Sequence, residues 1–232
     1  GCCDNICYSG VADIFRLPKF SLSFFRTQIA EGSMLPSGKM PYEVFIPAYR
    51  DEILSDTVMV YGNVDEVELV LNGKTIRRQT ADKGPDSDYI PVPNGGNGKN
   101  LHFPPFTFYG VPKERGVLKA VGYHQGKKVA EYTVKTPGVP ERLDITYFES
   151  GKPATKNDLL IVYVRMLDKQ GVLCPVNGIP VELSVQGGEI VGPTSYPLET
   201  GVASFLVRTG EISKININAT GKGFSTRKSL KV

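Results

Sequence analysis

Glu66 and Glu68 stand two residues apart inside the run EVELVLNG at 66–73. On a strand that spacing sends both side chains to one face, where paired carboxylates can share acid–base work. The same spacing is what a solvated sheet face looks like, and that is the simpler reading. Glu43, Glu114 and Glu131 also fall in strand or turn segments. The two histidines, His102 and His124, would each need a positioned serine and acid for nucleophilic catalysis. Nothing resembling a strand-to-helix nucleophile elbow flanks Ser9, Ser21 or Ser204. Asp144, Asp158 and Asp168 do not supply the roughly six to eight converging oxygens of a calcium site. They read as turn or edge aspartates. The glycine clusters at 95–98 and 187–188 lack the lysine and helix context of a phosphate loop.

Two further groups have chemistry to offer. Tyr89, Phe103, Phe106, Phe108 and Tyr109 lie near an Asp/Asn-rich stretch that carries Asp86, Asp88 and Asn97. Rings beside carboxylates and amides can stack on sugar faces and bond their hydroxyls. Ordinary strand and loop packing is the competing reading, and the absence of Trp weighs against sugar binding. The cysteines are Cys2, Cys3, Cys7 and Cys174. A Cys2 or Cys3 bridge to Cys7 is conceivable, but Cys-x3-Cys without a spaced second pair is a weak zinc signal, so free thiols are the plainer expectation. No cofactor and no metal are expected.

The elements that must hold these residues are mostly strands. The chain has 232 residues, of which 25 are Gly and 17 Pro, and a net charge of +3. That length excludes a (β/α)8 barrel, which needs about 250 residues. Basic residues outnumber acidic ones by 16 to 15 through Thr136 and by 11 to 9 beyond it. Neither part has the basic face of a nucleic-acid binder. No apolar run is long enough to span a membrane, and no intact signal peptide is seen. A lipid-modified Cys2 and an extracytoplasmic, periplasmic or cell-surface location are expectations.

The expected architecture is all-β: two tandem immunoglobulin-like β-sandwiches behind a short helical segment. Pro18 and the four-residue spacing of Phe20 and Phe24 predict a helix over 19–28 within an N-terminal segment of residues 1–40. Ser21, Ser23 and Thr27 fall at its polar positions, and 31–41 reads as loop. Phe15, Phe20, Phe24 and Phe25 should cover a sheet or form an interface. Seven strands are expected over 41–136: 43–49, 56–62, 66–73, 74–80, 101–110, and two between 116 and 136. Asn72-Gly73 and Gln125-Gly126 mark hairpin turns. Thr136-Pro137-Gly138-Val139-Pro140 reads as a proline-restricted joint, with 137–140 as linker. A second module over 141–232 shows strands at 143–149, 158–168, 179–187, 201–210, 214–221 and 224–232.

These motifs bear a family likeness. GVADIFRLPK at 10–19, ending in FRTQ at 25–28, resembles the segment that closes the catalytic barrel in family 2 glycoside hydrolases of the β-galactosidase type. VYGNVDEVELVLNGK at 60–74 is similar to the start of the immunoglobulin-like domain behind that barrel. GVLKAVGYHQGKKVA at 116–130 and TPGVP at 136–140 resemble its closing hairpin and exit. The remainder is similar to a bacterial Ig-like, invasin-type module. The resemblance implies two catalytic glutamates on upstream barrel strands, with carboxyls about 5 to 5.5 Å apart for a retaining mechanism. No residue here inherits either role, so the chain alone is expected to be non-catalytic. The implied partner is a catalytic barrel or glycosidase, with carbohydrate binding or surface protein interaction as alternatives.

Overall fold

A two-residue period governs nearly the whole chain, and seventeen strands and one helix form among the described residues. The computed structural model describes residues 10–48, 56–82, 101–148 and 153–232. It divides into unit 1, Gly1–Asp13 with Leu17–Thr136, and unit 2, Ile14–Arg16 with Pro137–Val232.

Unit 1 opens with α1 (Phe20–Thr27) and the short strands β1 (Met34–Leu35) and β2 (Gly38–Lys39). There follow β3 (Val44–Phe45), β4 (Val58–Gly62), β5 (Glu66–Leu71), β6 (Lys74–Thr80), β7 (Phe106–Phe108), β8 (Val117–His124) and β9 (Lys127–Lys135). A three-stranded sheet, β3-β4-β7, accompanies a four-stranded sheet, β6-β5-β8-β9, and all their pairings are antiparallel. Val67, Leu69 and Leu71 face inward with Val60, Leu118 and Ala120, and the large rings of the core are Phe106 and Phe108. Asn72-Gly73 and Gln125-Gly126 both take positive φ, as the two-residue hairpins they form require.

Several expectations are corrected here. The 31–41 stretch, expected as loop, contains the β1–β2 hairpin, with Met34 paired to Lys39 across Pro36 and Ser37. The strand expected over 43–49 is confined to Val44–Phe45 among the described residues. Ile46 remains buried in the core, but Pro47 has no N–H to continue the ladder. The 101–110 strand shrinks to Phe106–Phe108, since Pro104 and Pro105 leave consecutive positions without donors.

Unit 2 holds β10 (Arg142–Tyr147), β11 (Leu159–Leu167), β12 (Pro180–Gln186), β13 (Gly188–Ile190), β14 (Ser195–Pro197), β15 (Val202–Thr209), β16 (Lys214–Gly221) and β17 (Phe224–Lys231). Two four-stranded sheets, β10-β11-β15-β13 and β14-β12-β16-β17, enclose a core that includes Val162, Val164, Met166, Phe205 and Ile217. β13 and β14 were not legible as strands: three residues each, hedged by Gly187, Gly192 and Pro193, they are too short to show alternation. The second architecture is thus a sandwich of eight strands rather than six.

Candidate functional site

The N-terminal segment is tied into unit 1 by side chains whose pairing the sequence does not advertise. α1 begins at Phe20 behind Lys19 and ends at Thr27, with Gln28 as its C-cap. Gln28 uses its whole carboxamide on one residue: Nε2 donates to the Phe103 carbonyl at 3.0 Å, and Oε1 accepts from the Phe103 N–H at 3.1 Å. Asn63, 3% exposed, donates through Nδ2 to the carbonyls of Ile29 and Pro41, both at 3.0 Å, and accepts from the Glu43 N–H. Arg26 pairs with Glu43. Thr27, expected on the polar side of the helix, is instead fully buried, its hydroxyl donating to the Phe24 carbonyl. That bond removes the penalty of burying an unpaired hydroxyl.

The phenylalanines of the segment divide between packing and exposure. Phe20 meets Phe45 edge-on at 5.7 Å, and Phe45 in turn meets Tyr132 at 5.1 Å. Phe24 meets Tyr61 at 5.0 Å, where burial pushes the Tyr61 hydroxyl pKa upward. Phe25 touches Phe24 but is 57% exposed, and Met34 of β1 is 74% exposed. Phe15 belongs to unit 2, where its carbonyl accepts from the Tyr163 hydroxyl at 2.6 Å. Of the four expected interface rings, Phe24 and the still 37% exposed Phe20 pack on a sheet, Phe25 presents an apolar face outward, and Phe15 takes no part in the helix.

The described rings of the set expected to stack on sugars, Phe103, Phe106, Phe108 and Tyr109, do not share one exposed face. Phe106 and Phe108 have no exposure and serve as core, because the sandwich needs its largest rings there. That corrects the expectation of a binding role for both. Phe103 is half-buried beside His102, at 4.5 Å, with its backbone committed to Gln28. Tyr109 alone among the described rings of this set is on the surface, its hydroxyl pKa raised by partial burial and by Asp82. Asp86, Asp88, Tyr89 and Asn97 lie outside the described residues, as do Cys2, Cys3 and Cys7.

The paired carboxylates are engaged structurally. Glu68 accepts from the Thr75 hydroxyl at 2.6 Å and the Tyr123 hydroxyl at 2.7 Å, bonds that hold its pKa below the usual range. Glu66 pairs with Arg78, whose guanidinium lies 3.7 Å from the Tyr123 ring centroid. Glu131 pairs with Lys119 and Lys128, and His124 lies 3.1 Å from Asp65 while stacking on Tyr42. These contacts order the exposed face of β5, β6, β8 and β9. Among the described residues no cluster of three or more His, Cys, Asp or Glu side chains is arranged to hold a metal.

Residues 55–130 match a family described as a domain of unknown function, DUF4982. A β-galactosidase of Thermoanaerobacter pseudethanolicus is 32% identical over 218 residues, covering 89% of this chain but 27% of that relative. A β-galactosidase of Rhizobium radiobacter is 30% identical over 129 residues, 55% of this chain and 92% of its own length. Among solved structures, a β-glucuronidase from glycoside hydrolase family 2 superposes on 96% of this chain with a TM-score of 0.74 at 22% identity, covering 22% of its own length. The chain spans about a quarter of the length of the first of these relatives. The near-complete coverage of one β-galactosidase sequence carries the conclusion that this chain belongs to the β-galactosidase type of glycoside hydrolase family 2.

Proposed function

We propose that this chain is a non-catalytic accessory region that braces a family 2 catalytic domain, with α1 and the β1–β2 hairpin as the bracing surface. The observation that carries the reading is the division of labour on α1. Phe20 and Phe24 anchor the helix to the sandwich, while Phe25 and Met34 offer apolar area to water at 57% and 74% exposure. Rings left open on a segment that is otherwise firmly bonded fit a surface covered by a larger body. The engaged carboxylates Glu43, Glu66, Glu68 and Glu131 support a non-catalytic role.

Two measurements test this. The chain alone is assayed on chromogenic galactosides and glucuronides, where no turnover above buffer is expected; turnover would overturn the reading. In a protein carrying the chain joined to its catalytic domain, Phe25→Ser with Met34→Ser should lower the temperature at which activity is lost. The same pair in the isolated chain should leave its melting temperature unchanged. Equal behaviour of wild type and variant in the joined protein overturns the bracing surface.

Two finer assignments belong to the same proposal. Unit 2 is read as an invasin-type bacterial Ig-like module, supported by its sequence resemblance and its two four-stranded sheets. An extracytoplasmic location, with Cys2 as a lipid attachment point, is tested by fractionating cells that produce the protein from its own gene.

A further inference from the structure

The outward face of β12, β16 and β17 has no apolar side chain in its central rows. Ser184, Asn218 and Arg227 stand side by side in register, and Gln186, Asn216 and Ser229 form the next row. Asn and Ser are poor strand formers, since they pack little area and compete for backbone bonds. Strands more commonly draw on Thr and other β-branched residues. Here amides and hydroxyls lie across three strands about 4.8 Å apart. They bond to one another, Ser229 to Asn216 at 2.6 Å and Asn218 to Ser184 at 3.5 Å, which orients them.

At one end of this face a cleft of about 460 Å³ opens beside the β16–β17 hairpin, lined by Pro180, Glu182, Thr220, Lys222, Phe224 and Ser225 among others. Its volume lies within the range of small-ligand sites, about 300 to 1,000 Å³. Lys222 and Gly223, with φ of 50° and 81°, make the tight turn. Gly221 is required behind them, because a Cβ there would lie 2.8 Å from the Pro180 carbonyl oxygen. Phe224 alternates with the exposed Ser225, so its ring turns inward against the core and anchors the hairpin from behind.

We propose that this cleft and the adjoining amide rows bind a neutral oligosaccharide. Amides and hydroxyls both donate and accept, as sugar hydroxyls do. The exposed carboxylate of Glu182 can accept from neighbouring hydroxyls of one ring, and Pro180, on the same outward face of β12, supplies an apolar wall for sugar C–H groups. Within the lining Glu182 is balanced by Lys222, so the cleft carries no net charge that would select an ionic ligand over a neutral one. Strand addition by a peptide is closed at β12, which is already paired on both sides by β14 and β16. This site is separate from the Tyr89–Tyr109 set of unit 1 and does not rest on the bracing role of α1.

The test is a titration of the whole chain, followed by backbone amide NMR, with neutral galacto-, gluco- and xylo-oligosaccharides, a glucuronate-terminated oligosaccharide and inorganic phosphate. Saturable shifts are expected for at least one neutral series, confined to 180–186, 216–220 and 222–229. Glu182→Gln and Asn218→Ala, both without effect on melting temperature, should each weaken that binding at least tenfold. No saturable shift with any neutral series overturns the proposal. So do the same shifts with phosphate or glucuronate alone, shifts confined to unit 1, or binding that survives both substitutions. Turnover by the chain would overturn the accessory reading while leaving these shifts to be judged on their own.

Discussion

The carboxamide of Asn72 occupies the space in which a side chain on Gly116 would begin. Asn72 Oδ1 accepts from the Val117 N–H at 2.9 Å, and Nδ2 donates to the Arg115 carbonyl at 3.1 Å. A hairpin residue therefore closes the entrance to β8, and the glycine beside it exists to admit the amide. Gly116 also sits at φ 134°, a conformation L side chains rarely adopt.

Gly116→Ala should accordingly destabilise unit 1 through both strain and collision, by about 2–4 kcal/mol. Asn72→Ala should cost about 1 kcal/mol for the lost bonds. In the double variant the alanine at 116 should cost less than it does alone, because the collision is gone. Equilibrium urea unfolding of the four proteins measures this coupling; additive losses would refute the relationship.

Phe24 and Phe25 are neighbours with opposite expected behaviour. Phe24→Ala removes the Tyr61 contact and should lower stability by about 2–3 kcal/mol, near the lower end for a ring that is not fully buried. Phe25→Ala, at 57% exposure, should change it by less than about 0.5 kcal/mol. Thermal unfolding of the isolated chain compares the two, and a large loss from Phe25→Ala would show that the ring is core.

How much of this was legible beforehand depended on whether a residue's role was periodic. Val67, Leu69 and Leu71 announced an inward face, and α1 came within one residue of its expected limits at each end. The aromatic identities of Phe106 and Phe108 said nothing about which way they faced, because a three-residue strand between prolines shows no alternation. Gln28 and Asn63 were invisible for a different reason. Their partners lie 75 and 34 residues away, at Phe103 and Ile29, and a carboxamide has no sequence pattern that names such partners. The polar face of β12, β16 and β17 required the register of three strands, which no single segment contains.

Tyr123 tests whether the exposed sheet face of unit 1 is an ordered network. Its hydroxyl pKa is raised chiefly by donation to Glu68, with burial adding to the effect. Tyr123→Phe keeps the ring beneath Arg78 but deletes that bond, and should cost about 0.5–1 kcal/mol. The Glu68 carboxyl should then titrate closer to its ordinary value, which side-chain carboxyl NMR reads directly. An unchanged Glu68 titration would mean that Thr75 and the charge of Arg78 set it without Tyr123.

Asp168 binds the start of unit 2 to its own turn, and acid should release it. At 4% exposure, burial alone would raise its carboxyl pKa, but the N–H groups of Gly138, Val172, Gln170 and Gly171 outweigh burial and lower it. Oδ2 accepts from Gly138 at 2.7 Å, and Oδ1 accepts from Gln170 and Val172, each at 2.8 Å. The folded value lies below the unfolded one, so the stabilisation is fully present above the unfolded pKa of about 3.9. It is lost as pH falls through the folded value. Asp168→Asn replaces one acceptor with a donor facing N–H groups, and should cost unit 2 about 1–3 kcal/mol at neutral pH. The variant should also show a shallower loss of stability with acid than the wild type. Urea unfolding at neutral pH and across the acid range measures both effects, and parallel pH curves for the two proteins would exclude Asp168 as the titrating group.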